Sequence, residues 1–253
     1  MDELYHSPNL VAVYDTLNDE REDFDFYLSQ LLAPPAKVAD LGCGTGTFAI
    51  ELAHRGYQVV GIEPATQMLA SARVKGGDAV CWIEGTVADV PETERFDYII
   101  MTGHAFQCLL RDTDVSNLFS EVGRRLVPGG AFLFETRNPA ARAWDRWTPE
   151  HAGAPRPLPD GRLVRVVHEV ERVEGELVTF LESYELGNPA ERSHSRSTLR
   201  FMAAERVIEL AKSRGLTVED VWGTWAGDPF DPTHSPEIIF RLISASDGTE
   251  GIS

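Results

Sequence analysis

The sequence predicts an α/β fold, a mostly parallel sheet with helices on both faces, from three observations. Lys37–Met68, which reads KVADLGCGTGTFAIELAHRGYQVVGIEPATQM, holds an apolar strand at Val38–Leu41, a glycine-rich turn and a helical run. A second apolar strand, Gln58–Ile62, follows and ends on Glu63. That is a βαβ unit, whose crossover helix joins parallel strands. The third observation is repetition: apolar strands recur at Ala79–Ile83, Arg95–Met101 and Ala131–Glu135, with helical stretches between them.

Before the first strand, Leu10, Val11 and Tyr14, then Phe24, Tyr27, Leu28 and Leu31, recur at helical spacing until Pro34-Pro35 ends the run. This segment is acidic, with Asp15, Asp19, Glu20, Glu22, Asp23 and Asp25 around the single arginine Arg21. In the glycine turn, Gly42, Gly44 and Gly46 let the backbone approach a ligand closely because no Cβ intervenes. Glu63, at the tip of the second strand, can accept hydrogen bonds from both hydroxyls of a ribose. Pro64 then opens a helix through Met68, Leu69 and Ala72 that stops at Gly76-Gly77. A helix is expected over Thr113–Val127, capped by Asp112 or Thr113, with Val115, Leu118, Phe119, Val122 and Leu126 on one face.

After Thr136 the pattern changes. Arg137-Asn138-Pro139 leads to Trp144, Trp147 and a proline-rich loop, Pro149–Pro159. Three strand-like runs follow, Arg162–Val173, Glu176–Leu186 and Ser193–Phe201, the first two joined by Glu174-Gly175. Ala203–Ser213 returns to helix and stops at Gly215. Leu216–Thr224 and Glu237–Ser244 read as closing strands, and the turn at Trp225–Phe230 is expected to face the inserted strands. A loose tail is expected after Ser246.

Length and composition narrow the class. A chain of 253 residues with an ordinary apolar fraction can bury a sizeable core. No apolar run approaches a membrane span, and the N-terminus MDELYHSPNL lacks the features of a signal peptide. Cys43, Cys81 and Cys108 form no C-x-x-C pair, so neither a disulfide framework nor a metal site is expected. A cytoplasmic protein follows. The formal charge of −17 argues against a grip on nucleic acid, which needs basic surface against phosphates.

The turn Asp40-Leu41-Gly42-Cys43-Gly44-Thr45-Gly46 resembles motif I of the class I S-adenosylmethionine-dependent methyltransferases. A dinucleotide fingerprint would need glycine at position 47, which is Thr47. Phe96-Asp97-Tyr98-Ile99-Ile100 is similar to that family's fourth strand, and Leu126-Val127-Pro128-Gly129-Gly130 to the turn before its fifth. Tyr14-Asp15 resembles its recurrent Tyr-Asp segment. The resemblance implies a Rossmann-like seven-stranded, mostly parallel sheet with an antiparallel edge, plus a small antiparallel β lid inserted after strand five. Its parts would be an N-terminal helical cap (1–36), a cofactor-binding core (37–135), the lid (136–202) and a C-terminal completion of the core (203–253).

The implied cofactor is S-adenosyl-L-methionine, held by Tyr14, Asp40, Gly42, Cys43, Gly44, Glu63, Pro64, Met68, Thr86, Val87, Ala88, Thr102, Gly103 and Phe106. Where the family carries an acid for the adenine edge, this chain has Thr86; Asp89 either replaces that acid or caps the loop. His104, after the fourth strand, is a candidate general base, a substrate ligand or a histidine satisfied by backbone. Arg137, Trp144, Trp147 and His168 are substrate candidates. The implied activity is methyl transfer to a small-molecule nitrogen, oxygen or carbon nucleophile, with no nucleic acid or membrane partner and a homodimer left open. The acidic cap would favour a cationic acceptor, and the arginines of 137–165 an anionic one. The rival readings are a non-catalytic S-adenosylmethionine-binding protein and an NAD-dependent oxidoreductase.

Overall fold

The strands at the centre of the sequence read as near-continuous apolar runs because both their faces are covered. The computed structural model describes residues 3–187 and 192–244; the tail expected after Ser246 lies outside them. In chain order the elements are helices α1 (Glu3–His6), α2 (Pro8–Leu17) and α3 (Glu22–Ser29), strand β1 (Lys37–Leu41), α4 (Thr47–His54), β2 (Gln58–Glu63), α5 (Thr66–Gly76), β3 (Cys81–Glu84), β4 (Phe96–Met101), α6 (Asp112–Arg125) and β5 (Leu126–Arg137). There follow β6 (Arg156–Pro157), β7 (Leu163–Glu174), β8 (Leu177–Leu186), β9 (Arg192–Arg200), α7 (Ala204–Lys212), β10 (Leu216–Trp222) and β11 (Glu237–Ser244).

Seven strands form one sheet in the order β10-β11-β5-β4-β1-β2-β3. Strands β1 to β5 are parallel, while β11 runs antiparallel to β5 and β10 antiparallel to β11. The chain moves outward from β1 to β3 and then crosses to β4 on the other side of β1. That reversal opens a crevice at the carboxyl ends of β1 and β4, where open α/β sheets take their ligands. A second sheet of order β6-β7-β8-β9 is antiparallel throughout, and Gly175 at φ +57° turns its main hairpin.

Period-two alternation divides the core. Ala39, Leu41, Ile99, Phe132 and Phe134 face one layer with α6 and α7. Val38, Tyr98, Ile100 and Leu133 face the other, with α4 and α3. Phe134 is fully buried between Phe106, Phe132 and Phe240, whose ring centroids lie 4.5, 4.7 and 5.1 Å away.

Three expectations need correction. Helix α6 ends at Arg125 and carries no side-chain cap; Asp112 is engaged by Arg200 and Arg206 instead. Pro128 disfavours helical backbone at Val127, so Leu126 and Val127 already belong to β5. Second, the N-terminal segment does not pack as one unit. Phe26 and Tyr27 of α3 sink under the main sheet, whereas α1 and α2 lie between α5 and the inserted sheet. Third, Trp225 faces away from the inserted sheet, its ring 5.9 Å from both Phe26 and Tyr27.

Phe134→Ala is expected to lower the unfolding free energy by about 3–5 kcal/mol, the usual cost of an aromatic cavity that cannot collapse. Denaturant unfolding monitored by circular dichroism checks this value.

Candidate functional site

The glycine turn is pinned by backbone before any side chain acts. Gly42 and Cys43 donate their N–H groups to the Ile62 carbonyl at 2.8 and 3.1 Å, which docks the turn on the end of β2. Gly42, Gly44 and Gly46 all adopt positive φ. They serve different ends. A Cβ on Gly46 would come within 2.6 Å of Trp82 and 2.9 Å of Ala72, so this glycine lets α4 pack. A Cβ on Gly44 would meet nothing within 4 Å, so Gly44 fronts open space.

Glu63 stands across that space. Its Oε2 accepts the Gly44 N–H at 2.9 Å and its Oε1 the Ala65 N–H at 2.8 Å. Burial pushes this carboxyl above its usual range, and the two backbone donors oppose the shift. Asp40, at the end of β1, is 1 % exposed, and among the described residues neither carboxylate oxygen meets a donor in good hydrogen-bond geometry, although the Ala49 N–H lies near it. Burial raises it to about 7, with Arg21 pulling the other way. Buried carboxylates are normally paired. One left short of donors beside an open glycine turn fits a ligand that brings its own ammonium or N–H donor.

Tyr14 of α2 packs against Val11, Ala65 and Met68 on one side and Leu10 and Tyr184 on the other. Burial lifts its hydroxyl to about 12, and the Glu63 carboxylate adds to the shift. Its neighbour Asp15 accepts from Thr45 and from Lys75 Nζ, which staples α2 to the glycine turn. At the far side, Asp89 caps its own loop: Thr86 donates its N–H and its hydroxyl to Oδ2 at 2.7 and 3.0 Å, and Ala88 N–H returns to Thr86 Oγ1. The Val87 side chain is buried.

The segment after β4 turns at Gly103 and His104, both in left-handed backbone. His104 N–H donates to Glu135 Oε1 at 2.6 Å, and Glu135 Oε2 accepts the Tyr27 hydroxyl. The His104 ring Nε2 lies 2.9 Å from Glu237 Oε2. Burial depresses the imidazole to about 3 and raises Glu237 to about 7 and Glu135 above its usual range. An imidazole held this neutral is poorly matched to taking a proton near pH 7.

A cavity of about 330 Å³ lies between α1, α2, this segment and the inserted sheet. It brings together Tyr14, Gly103, His104, Arg137, Trp147 and His168, all expected from sequence. Arg137 donates Nη1–H to Gln107 Oε1 at 2.8 Å and lies 5.6 Å from the Trp147 ring centre. Other expected residues turn elsewhere. Phe106 joins the aromatic core against Phe134, because β5 lies beneath it. The Cys43 side chain packs on Leu69, Ala72 and Trp82. Trp144 is buried edge-on against Phe201, 4.5 Å away. Thr102 and Met68 are buried and Pro64 is exposed.

The charge alternatives largely cancel. Asp19 and Glu20 pair with Arg156, Arg142 with Asp145, and Arg162 with Asp160; of the lid arginines, Arg137 reaches the cavity. Residues not anticipated from sequence are Glu135 and Glu237 behind His104, and Tyr5, Phe180, Glu182, Tyr184 and Ser197 in the cavity wall. Phe180, Glu182 and Tyr184 alternate along β8, and that period was the signal available for them.

Comparison with known proteins bears on this geometry. A family model described as a methyltransferase domain matches residues 38–130. The chain is 28% identical over 196 residues to the cypemycin N-terminal methyltransferase of a Streptomyces species, covering 76% of this chain and 77% of that one. In three dimensions it resembles an S-adenosylmethionine-dependent methyltransferase from Clostridium acetobutylicum, with TM-score 0.74, 16% identity and coverage of 92% and 97%. It also resembles a sugar N-methyltransferase from Streptoalloteichus, with TM-score 0.67, 18% identity and coverage of 90% and 92%.

Because Asp40 ionises only near pH 7 when folded, the native state keeps a proton that the unfolded chain has already lost. Its contribution to stability therefore falls as pH rises from the ordinary aspartate range to about 7. Asp40→Asn removes that penalty. The variant should gain little in thermal midpoint at pH 4 and several degrees over the parent at pH 8, measured by calorimetry; an equal gain at both pH values would refute the assignment.

Proposed function

Because the chain belongs to the class I S-adenosylmethionine-dependent methyltransferases, with S-adenosylmethionine as its cofactor, we propose that it methylates a small molecule held in the cavity between helices α1 and α2 and the β6–β9 lid. One observation carries the reading. The open front of Gly44, the buried carboxylate of Asp40 and the bracket of Glu63 form one end of the site, and Tyr14, which packs on Ala65 two residues from Glu63, also lines a cavity of acceptor size.

In this reading the cofactor's amino group meets Asp40, its amino-acid part lies along Gly42 and Gly44, and its ribose hydroxyls bond the free lone pairs of Glu63. Pro64 and Met68 flank the adenosine. Thr86, Val87 and Ala88 offer backbone to the adenine edge, because the Thr86 and Asp89 side chains are engaged with each other. The bound sulfonium supplies a methyl that is already activated. What remains for the protein is alignment, which can contribute about 7–11 kcal/mol in well-held systems. Glu135 serves this by fixing the His104 backbone, so that Thr102 and Gly103 stay still beneath the reacting groups. Arg137, Trp147 and His168 contact the acceptor.

The four-part division into cap, core, lid and C-terminal completion follows the same reading, since the lid strands form a sheet of their own. Among the described residues no helix is long and apolar enough to cross a membrane, and none of the three cysteines is in a disulfide. Both features agree with work in the cytoplasm.

Titration calorimetry with S-adenosylhomocysteine tests the cradle. Glu63→Gln, which exchanges one acceptor oxygen for a donor, should weaken binding by about 1.5–3 kcal/mol. Unchanged affinity would remove Glu63 from the site. Gly44→Val should abolish binding, since its side chain enters the open space; because φ +56° also strains a β-branched residue, a thermal melt of the variant is run alongside to show that the fold persists. Incubating labelled cofactor with a metabolite extract should move label onto a small molecule, and label that stays put counts against the acceptor cavity.

A further inference from the structure

The wall of the cavity carries a charge that the cofactor reading leaves unused. Glu182 lies on β8 directly opposite His168 of β7 and is 8 % exposed, so it is nine-tenths buried yet fronts the cavity. Among the described residues its ion-pair partner is His168, whose Nε2 sits 3.2 Å from Oε1. Ser197 Oγ reaches Oε2 at 3.5 Å. A buried carboxylate needs a standing cation or a full set of donors, and one histidine nitrogen with one long hydroxyl contact leaves that set short.

Arg137 also reaches this cavity, and it is already engaged: its Nη1–H is given to Gln107 and its guanidinium lies 5.6 Å from the Trp147 ring centre. Burial lowers its pKa, and the Glu237 and Glu135 carboxylates behind it oppose that shift. Among the described residues Glu182 is the carboxylate of the cavity wall without a fixed counter-charge beside it. The surfaces beside it are aromatic. Trp147 and Phe180 are 4.6 Å apart by ring centre, and the His168 ring is about 6 Å from each. Aromatic faces attract cations and also shelter the apolar part of an amphiphilic ligand.

We infer that the acceptor is a small amine, received as its ammonium by the Glu182 carboxylate between Trp147, Phe180 and His168. This assignment rests on the methyltransferase reading and adds the chemical class of its second substrate. It also gives the lid a reason to place one buried acid beside the aromatic rings of Trp147, Phe180 and Tyr184. A carboxylate- or phosphate-bearing acceptor would have to compete with Gln107 for Arg137 and to approach Glu182 with like charge.

The test compares three ligands of one shape, phenethylamine, 2-phenylethanol and phenylacetate, titrated into the full chain saturated with S-adenosylhomocysteine at pH 7. Phenethylamine should bind at least about tenfold more tightly than the alcohol or the acid, a difference of about 1.4 kcal/mol. Glu182→Gln, which keeps shape and loses charge, should erase that preference without changing S-adenosylhomocysteine affinity. The ligand comparison on the parent protein stands even if the variant folds poorly. No preference, a preference for phenylacetate, or an amine preference that survives Glu182→Gln overturns the inference. Normal S-adenosylhomocysteine binding in the same samples would then leave the cofactor reading intact, and its loss would strike that reading instead.

Discussion

The two oxygens of Glu63 hold the site together. One takes the N–H of Gly44 from the turn after β1, the other the N–H of Ala65 at the start of α5. A single carboxylate thus ties two loops that leave neighbouring parallel strands. It stands at the rim of the crevice that the strand order creates. Charge-assisted bonds to backbone are stronger than neutral ones, and burial strengthens them further. The open face of Gly44 is set by this clamp. Without it the turn would still leave the core space around Gly46, where Trp82 and Ala72 pack, but its ligand-facing half would be loose.

A second carboxylate, Glu135, plays the matching part at the other strand end. It accepts from the His104 backbone and from the Tyr27 hydroxyl, so it connects the segment after β4 with α3 beneath the sheet. Glu237 adds a bond to the His104 ring. The result is a histidine whose backbone and ring are both fixed and which burial keeps neutral. Its position suits a wall or hydrogen-bonding group better than a proton acceptor. Methyl transfer from a sulfonium tolerates this, because alignment and a free lone pair are what the reaction demands of the protein.

The acidic character of the chain acquires a structural meaning once the pairs are seen. Asp15 engages Thr45 and Lys75, Asp19 and Glu20 meet Arg156, and Asp112 is gripped by Arg200 and Arg206. These contacts fasten α2 to the glycine turn and to the lid, and α6 to β9 and α7. Exposed pairs of this kind contribute little stability each, up to about 1 kcal/mol. Their use here is to register separate layers against one another. The acidic cap and the arginine-rich lid do not by themselves decide the acceptor's charge, because Asp19 and Glu20 pair with Arg156 while Arg142 and Arg162 pair with Asp145 and Asp160 inside the lid.

The sequence by itself determined the βαβ order, the parallel sheet with its antiparallel edge, the glycine turn facing Glu63, and the inserted hairpin at Glu174-Gly175. Each of these is written within a few residues, through side-chain period, φ demands and turn chemistry. Pro128 was equally local evidence for the start of β5, although the helix expected over 113–127 overran it. Tertiary structure alone decided which charges meet. Glu135 finds Tyr27 across 108 residues, and His104 finds Glu237 across 133. It also decided that Phe106 and Trp144 pack inward while Trp147 borders the cavity, a choice that period cannot make in irregular segments. Periodicity reports which side of an element is buried, but the identity of what lies opposite depends on how distant strands are laid side by side.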